Sequence, residues 1–389
     1  MMGFKLVRKA LVVAGSAALL GACSVIPKGA ESTGPVEPTQ TAPAPEPSAT
    51  ALPTDSARHR VALLVPMSGS NSKVGQSIAN ATTMALLDTN ASNLRITTYD
   101  TATGARAAAR KAIRDGNKLI LGPLLSSNVP TVLAESRAAG VPLISYSNDE
   151  SVAAADSFVM GHLPGQSIRR SVAYAKDRGA RNVAAIVPDG AYGQRAQLAL
   201  TNALRENGLA LAGIEEYARG NTSIISASQR LRSRGGFDTV LIADGARLAA
   251  QAAGVLSPGG SGSTRILGTE LLSGEGSVTR SSALRGTWFA AVSDSRFKRF
   301  SDSYNTRFGA KPYRIATLGY DSVLLALRVA QDWRVGSSFP TSRLYAEDGF
   351  LGLDGAFRFR RDGSVERAME VREVRNGQVV IVDQAPSQF

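Results

Sequence analysis

One cysteine and two histidines occur among 389 residues. A lone thiol, Cys23, closes no intrachain disulfide and no cysteine-based zinc cage. With His59 and His162 as the only imidazoles, a catalytic metal site is short of ligands. No apolar run reaches the roughly 20 residues that cross a bilayer as a helix. There is no G-x-S-x-G elbow, P-loop or H-E-x-x-H motif, His162 reads as structural, and the pairs Glu215-Glu216 and Asp149-Glu150 read as solvated charge. No enzyme activity and no cofactor are therefore expected. What is present, 43% hydrophobic and 20% charged residues, lies near the average for soluble domains and excludes wholesale disorder. The net charge of +12 points to an acidic partner: nucleic acid, an anionic membrane or an acidic polymer.

Lys5, Arg8 and Lys9 precede a short apolar stretch, residues 10–22, rich in small side chains, which is the layout of a secretory signal. It ends Leu20-Gly21-Ala22-Cys23, which resembles a bacterial lipobox. By that resemblance Cys23 becomes the lipidated N-terminus of the mature chain, and Ser24 after it favours the periplasmic side of the outer membrane. Lipidation would tether the chain through about 0.8 kcal/mol per buried methylene. From Pro27 to Pro53 the chain is Pro, Ala, Thr, Ser and Glu with almost no large apolar residue. Such a segment cannot bury enough surface to offset its ordering entropy. It reads as a semi-extended tether, on the order of 80 Å at full stretch at about 3 Å per residue. Setting aside Lys5, Arg8 and Lys9 lowers the charge from +12 to +9. The remaining excess, as in Arg106, Arg110, Lys111 and Arg114, reads as scattered helix faces.

The rest alternates short apolar runs with amphipathic stretches: strands at 61–65, 94–99, 118–121 and 141–145 between helices at 75–88, 105–115 and 128–139. After residue 160 the rhythm restarts, with strands at 183–187, 209–217, 239–243 and 265–268 and helices at 166–178, 194–207, 224–233 and 247–256. This is the pattern of parallel βαβ units. Residues 257–263 read as a loop. The last third differs: a strand at 286–292, helices at 295–308 and 315–333, then a β-hairpin pattern whose Asn376-Gly377 is a strong turn signal.

In order, Arg60-Val61-Ala62-Leu63-Leu64-Val65-Pro66-Met67-Ser68-Gly69, Tyr99-Asp100-Thr101, Leu121-Gly122-Pro123-Leu124, Val141-Pro142-Leu143-Ile144-Ser145, Asp189-Gly190-Ala191-Tyr192-Gly193 and Leu318-Gly319-Tyr320-Asp321 resemble the type I periplasmic binding proteins, which include the leucine/isoleucine/valine binders. Within them, the segments 122–129 and 145–149 resemble the penicillin-binding protein activators, lipoproteins that contact and stimulate a bifunctional peptidoglycan synthase. The characterised activator carries a helical-repeat domain where this chain has its tether.

The resemblance implies an α/β fold of two doubly wound, Rossmann-like lobes joined by three crossovers, expected at 160–163, 286–290 and 348–352. The expected parts are a signal (1–22), a lipidated tether (23–57), one lobe from 58–159 plus 291–347 and the other from 162–285 plus 350–389. Ligands of open α/β sheets sit beyond the carboxyl ends of the strands. The candidate cleft residues are therefore Ser68, Gly69, Ser126, Ser127, Ser147, Asn148 and Asp149 from the first lobe, with Tyr192, Asp244 and Glu270 from the second. Ser68, Ser126 and Ser127 read equally well as helix N-caps. By resemblance to the amino-acid binders, Ser126 would hold a ligand carboxylate, and Asp244 or Glu270 its ammonium. Two partner readings follow: a peptidoglycan synthase, or an ABC permease together with a small amino-acid ligand. Related repressors carry an N-terminal helix-turn-helix where this chain has a signal and tether, so nucleic acid is not expected.

Overall fold

The computed structural model describes residues 57–220, 222–257 and 264–386. The expected signal, Cys23, the tether and most of the 257–263 loop lie outside the described residues. The first described run, β1 (His59–Val65), is buried along almost its whole length. A strand apolar on both faces needs a cover on each side, which is the situation of a central parallel strand. It pairs in parallel with β2 (Leu94–Asp100) and β3 (Leu119–Leu121), and with β4 (Leu143–Ser145) and β5 (Ser157–Val159) it makes the five-stranded sheet β2-β1-β3-β4-β5. The connections are α1 (Ser72–Asp88), α2 (Ala105–Arg114) and α3 (Val129–Ala138). Ala62, Leu64, Ala109, Ile120 and Val132 fill one face, while Val61, Leu63, Val65, Ile78 and Leu119 fill the other.

The chain then crosses at residues 160–163 into a second sheet. Its parallel part is built from α4 (Pro164–Asp177), β6 (Asn182–Pro188), α5 (Ala191–Asn207), β7 (Ala210–Tyr217), α6 (Ser223–Arg234), β8 (Thr239–Ile242), α7 (Ala246–Leu256), β9 (Arg265–Leu267), α8 (Gly276–Arg280) and β10 (Trp288–Ala291). The order is β15-β14-β10-β9-β8-β6-β7, closed on one side by the antiparallel hairpin of β14 (Glu370–Arg375) and β15 (Gln378–Asp383). Arg375 pairs with Gln378 across Asn376-Gly377, both at positive φ (46° and 76°). That is the left-handed geometry for which Asn-Gly is suited.

Two expected boundaries move. The second crossing does not fall at 286–290: β10 pairs with β9 and along its whole length with β14, so the second lobe keeps it and the chain leaves at 292–296. Phe289 packs with one helix layer and Trp288, Ala290 and Val292 with the other. A run apolar on both faces identifies a buried strand without saying which sheet it joins. Nor does the region from 350 onward belong as a block to the second lobe. β11 (Phe350–Gly352), β12 (Gly355–Phe359) and β13 (Val365–Arg367) form a separate antiparallel sheet, and Phe357, Phe359 and Val365 pack into the first lobe's core with Phe158 and Val159. The third crossing is therefore at 368–369. The remaining elements of the first lobe are α9 (Phe297–Phe308) and α10 (Thr317–Ala330), which packs Leu318, Val323 and Ala326 into the same core.

In each lobe a proline stands at the end of the first strand, Pro66 just after β1 and Pro188 as the last residue of β6, and the next helix carries a glycine close above it. A Cβ on Gly75 would run into the Pro66 carbonyl, and one on Gly193 into the Pro188 carbonyl. The helices α1 and α5 can sit this low on their sheets only without that side chain.

Candidate functional site

The carboxyl ends of β3, β4 and β9 face one another across a cavity of about 560 Å³, within the size range of small-molecule sites. The first lobe supplies Leu124 and Leu125 after β3, Tyr146 and Asn148 after β4, and Tyr313, Arg314 and Ile315 ahead of α10; the second supplies Glu270, Leu271, Ser273, Gly274 and Glu275 after β9, and His162 comes from the first crossing. Tyr146 is fully buried and its hydroxyl shares a 2.8 Å hydrogen bond with Ser322 of α10, which fixes the ring as a wall.

Glu270 is the most perturbed acid on this surface. Burial pushes its carboxyl up to about 7, against the hydrogen bond from Tyr192 and the field of Arg195. The Tyr192 hydroxyl, 3.0 Å away, donates to Glu270 Oε1, while Oε2 is buried with no hydrogen-bond partner among the described residues. Tyr192 itself is raised well above the usual phenol range, by burial and then by Glu270. Unmet hydrogen-bonding capacity in a buried carboxylate is costly, and a donor carried by a ligand would relieve it.

Opposite, Arg314 Nη1 donates to Asp354 Oδ1 at 2.6 Å, and Nη2 lies 3.2 Å from Asp294. Its guanidinium carbon stands 4.5 Å from the centre of the Phe297 ring, and Nε is buried without a hydrogen-bond partner among the described residues. Asp354 also meets His162 Nε2 at 2.7 Å. Burial would raise the Asp354 carboxyl, but Arg314 and His162 hold it far below the usual carboxylate range. Burial lowers His162 despite that carboxylate. Arg367 reaches the Met160 carbonyl at 2.6 Å, and Arg372 pairs with Asp294 and, at 2.7 Å, with Glu370. One buried charge network thus touches all three crossings: Met160 and His162, Asp294, and the Arg367–Arg372 segment.

A second tie runs directly between the lobes. Arg195 of α5 donates to Asp149 Oδ2 at 3.0 Å and to Asn148 Oδ1 at 3.2 Å.

Of the residues proposed from sequence, Asn148 and Glu270 line the cavity, and Asp149 and Tyr192 stand directly behind them. Ser147 is buried, its hydroxyl accepting from the Asp149 amide, so it shapes the turn. Asp244 accepts from Tyr217, from Arg219 Nε at 2.7 Å and from the Gly245 amide. Those donors engage it beside Tyr192, whose ring lies 5.5 Å from the Arg219 guanidinium carbon. Ser68, Gly69, Ser126 and Ser127 do not line the cavity. Ser68 is spent on Asp100, which also accepts from the Met67 and Ala102 amides. Nor are the serines side-chain caps: the cap positions ahead of α1 and α3 are Asn71 and Asn128, with no capping side-chain bond. Arg314, Tyr313, Glu275 and Leu271 escaped the sequence reading. The chain brings Arg314 to the cleft from a turn ahead of α10, and no local pattern marks such a position.

A periplasmic binding protein family model matches residues 59–378. The chain belongs to the periplasmic binding proteins, with the two-lobed type I architecture of the leucine-binding group. It is 21% identical to a Rhodospirillum rubrum protein assigned provisionally as a branched-chain amino acid ABC transporter, with a TM-score of 0.71 over 84% of this chain and all of that one. Full-length LpoA from Haemophilus influenzae matches with 18% identity and a TM-score of 0.64, covering 85% of this chain and 60% of LpoA. An uncharacterized protein of Rickettsia prowazekii (strain Madrid E) is 28% identical over 173 residues. That match covers 44% of this chain and 46% of the relative, so the chain spans about half the length of the curated protein it matches.

Proposed function

We propose that this chain is a non-enzymatic, lipid-anchored envelope protein that regulates peptidoglycan synthesis by contacting a bifunctional synthase. The observation that carries this reading is the tie from Arg195 to Asp149 and Asn148. A receptor that waits for its solute leaves its lobes to be bridged by that solute; here a guanidinium of the chain bridges them, and a surface spanning both lobes is preset for docking. Preorganisation of that kind lowers the cost of binding a partner. The tie sits in the 145–149 segment, one of the two that resemble the activators, and the likeness to LpoA is in keeping with it. Anchoring through Cys23 and the long tether would let the folded part reach from the outer membrane toward the wall. The test uses the full-length chain in detergent with a bifunctional penicillin-binding protein and lipid-linked substrate. Co-sedimentation and a faster glycan polymerisation rate are expected; if the two neither bind nor change the rate, the reading is abandoned.

A second reading, the solute receptor of an ABC importer, draws on the cavity. An amino acid would set its ammonium by Glu270 and its carboxylate by Arg314, both of which line the cavity. Thermal shift against an amino-acid panel decides it, since a ligand at a hundredfold excess over Kd stabilises by about 2.7 kcal/mol. No shift across the panel removes the receptor role.

A further inference from the structure

A second concavity, about 410 Å³, runs between α1 and the end of α9. One wall is a single face of α1, where Lys73, Gln76 and Asn80 follow at helical spacing. The other is Tyr304 and Phe308 of α9 with Lys311 and Tyr313 beyond it. The walls are pinned together: Asn80 Nδ2 donates to the Tyr304 hydroxyl at 3.0 Å, and the Tyr313 amide donates to Ser77 Oγ at 3.1 Å. The buried Tyr304 and the partly buried Phe308 lie tilted to each other with ring centres 4.7 Å apart. Tyr313 is left 46% exposed, a large ring facing water at the mouth. Among the described residues no acidic side chain lines this groove, although Lys73 and Lys311 both do. That contrasts with much of the basic surface, where Arg106, Arg110, Arg230 and Arg234 each meet a glutamate.

We propose that this groove binds a carboxylate-bearing glycan. A sugar presents a C–H face that lies on the exposed Tyr313 ring, hydroxyl and acetamido groups that pair with Ser72 and Gln76, and, where acidic, a carboxylate for Lys73 or Lys311. Peptides that add to a strand edge or lie as a helix in an apolar trough find neither here; the mix of an exposed ring with hydroxyl and amide groups along one helix face suits a sugar, and an acidic peptide is the competing occupant that the test separates. The site is distinct from the interlobe cavity, with Tyr313 alone common to both linings. The proposal rests on the envelope reading only in that an acidic wall glycan would be within reach.

The test is titration of the full-length chain in detergent with fluorescently labelled oligosaccharides. A hyaluronan hexasaccharide and peptide-free peptidoglycan strands carry carboxylates, chitohexaose is a neutral control, and hexaglutamate is an acidic peptide. The expected result is saturable binding of the two acidic glycans that weakens with salt, tenfold or more looser in K73E/K311E, several-fold looser in Tyr313→Ala, and unchanged in the distant K118E/K176E pair. Absence of binding by both acidic glycans, equal binding by K73E/K311E, or binding of hexaglutamate in place of the glycans overturns it. Circular dichroism of each variant separates lost binding from lost folding. Synthase stimulation is measured on the same variants: stimulation without glycan binding refutes this site alone, and glycan binding without stimulation refutes the regulatory reading alone.

Discussion

Glu270 carries opposite demands in folding and in binding. Its carboxyl titrates near 4.5 when unfolded and about 7 in the fold, so the native state holds the proton more tightly. Its own contribution to stability is therefore greatest at low pH and falls as pH rises from about 4.5 to about 7, levelling above that, a loss on the order of 3 kcal/mol. Glu270→Gln removes the ionisation and keeps an oxygen for Tyr192. Urea midpoints should show the variant more stable than the parent at pH 8, by about 2–3 kcal/mol, and nearly equal at pH 4.5. If an ammonium ligand uses this site, its affinity for the parent should rise with pH through 7 while the glutamine variant stays weak. A parent and variant with parallel pH profiles would show that the carboxyl is already ionised at neutral pH. The identity of Glu270 as a candidate was legible, because an acid a few residues past a strand end is placed where ligands of α/β sheets lie. Its unpartnered oxygen was not, since that depends on what Tyr192, Thr269 and Arg195 leave unmet.

At the scale of elements, the helices α1 and α5 depend on glycine at their first turns. Gly193→Ala would push a methyl into the Pro188 carbonyl. Backbone cannot swing aside as a side chain can, so a cost of about 1–3 kcal/mol or more is expected from overpacking. Gly208→Ala is an informative comparison: that glycine ends α5 in a left-handed turn (φ 66°), and no atom of the described residues lies within 4 Å of where its Cβ would be. It should cost about 1 kcal/mol from backbone conformation alone, measured by the same denaturant midpoint. Equal losses at the two sites would argue that α5 lifts away from the sheet without penalty. Element type was readable along most of the chain because apolar runs and helical spacing are local. β10 shows the limit: Trp288 to Ala291 read correctly as a strand, but its sheet depended on Leu267 and Glu370–Glu373, which lie far off in the chain.

At the scale of the molecule, the lobes are held by two kinds of tie. The network around Asp354 is buried, and Asp354→Ala would leave Arg314 and His162 facing each other without their shared carboxylate. Breaking one partner of a buried pair costs about 3–5 kcal/mol, visible as a large drop in urea midpoint. The Arg195 tie is partly exposed, with Arg195 and Asp149 side chains at 22% and 15% accessibility. Arg195→Ala should cost about 1 kcal/mol in stability yet let the lobes part, raising the radius of gyration in X-ray scattering. An unchanged scattering profile would mean that the Asp354 network alone sets the lobe angle, and would weaken the preset docking surface on which the regulatory reading depends.

From the residues alone came the alternation of strands and helices, the two serial α/β lobes and the Asn376-Gly377 turn. These rest on periodicity and on turn chemistry, which act between neighbours in the chain. Tertiary structure decided that β10 closes the second sheet and that β11–β13 complete the first lobe's core. It also brought Arg314 to the cleft and spent Ser68 on Asp100. Each of those outcomes is a competition among partners distant in sequence for one burial site or one hydrogen bond, and only the folded chain determines which partner wins.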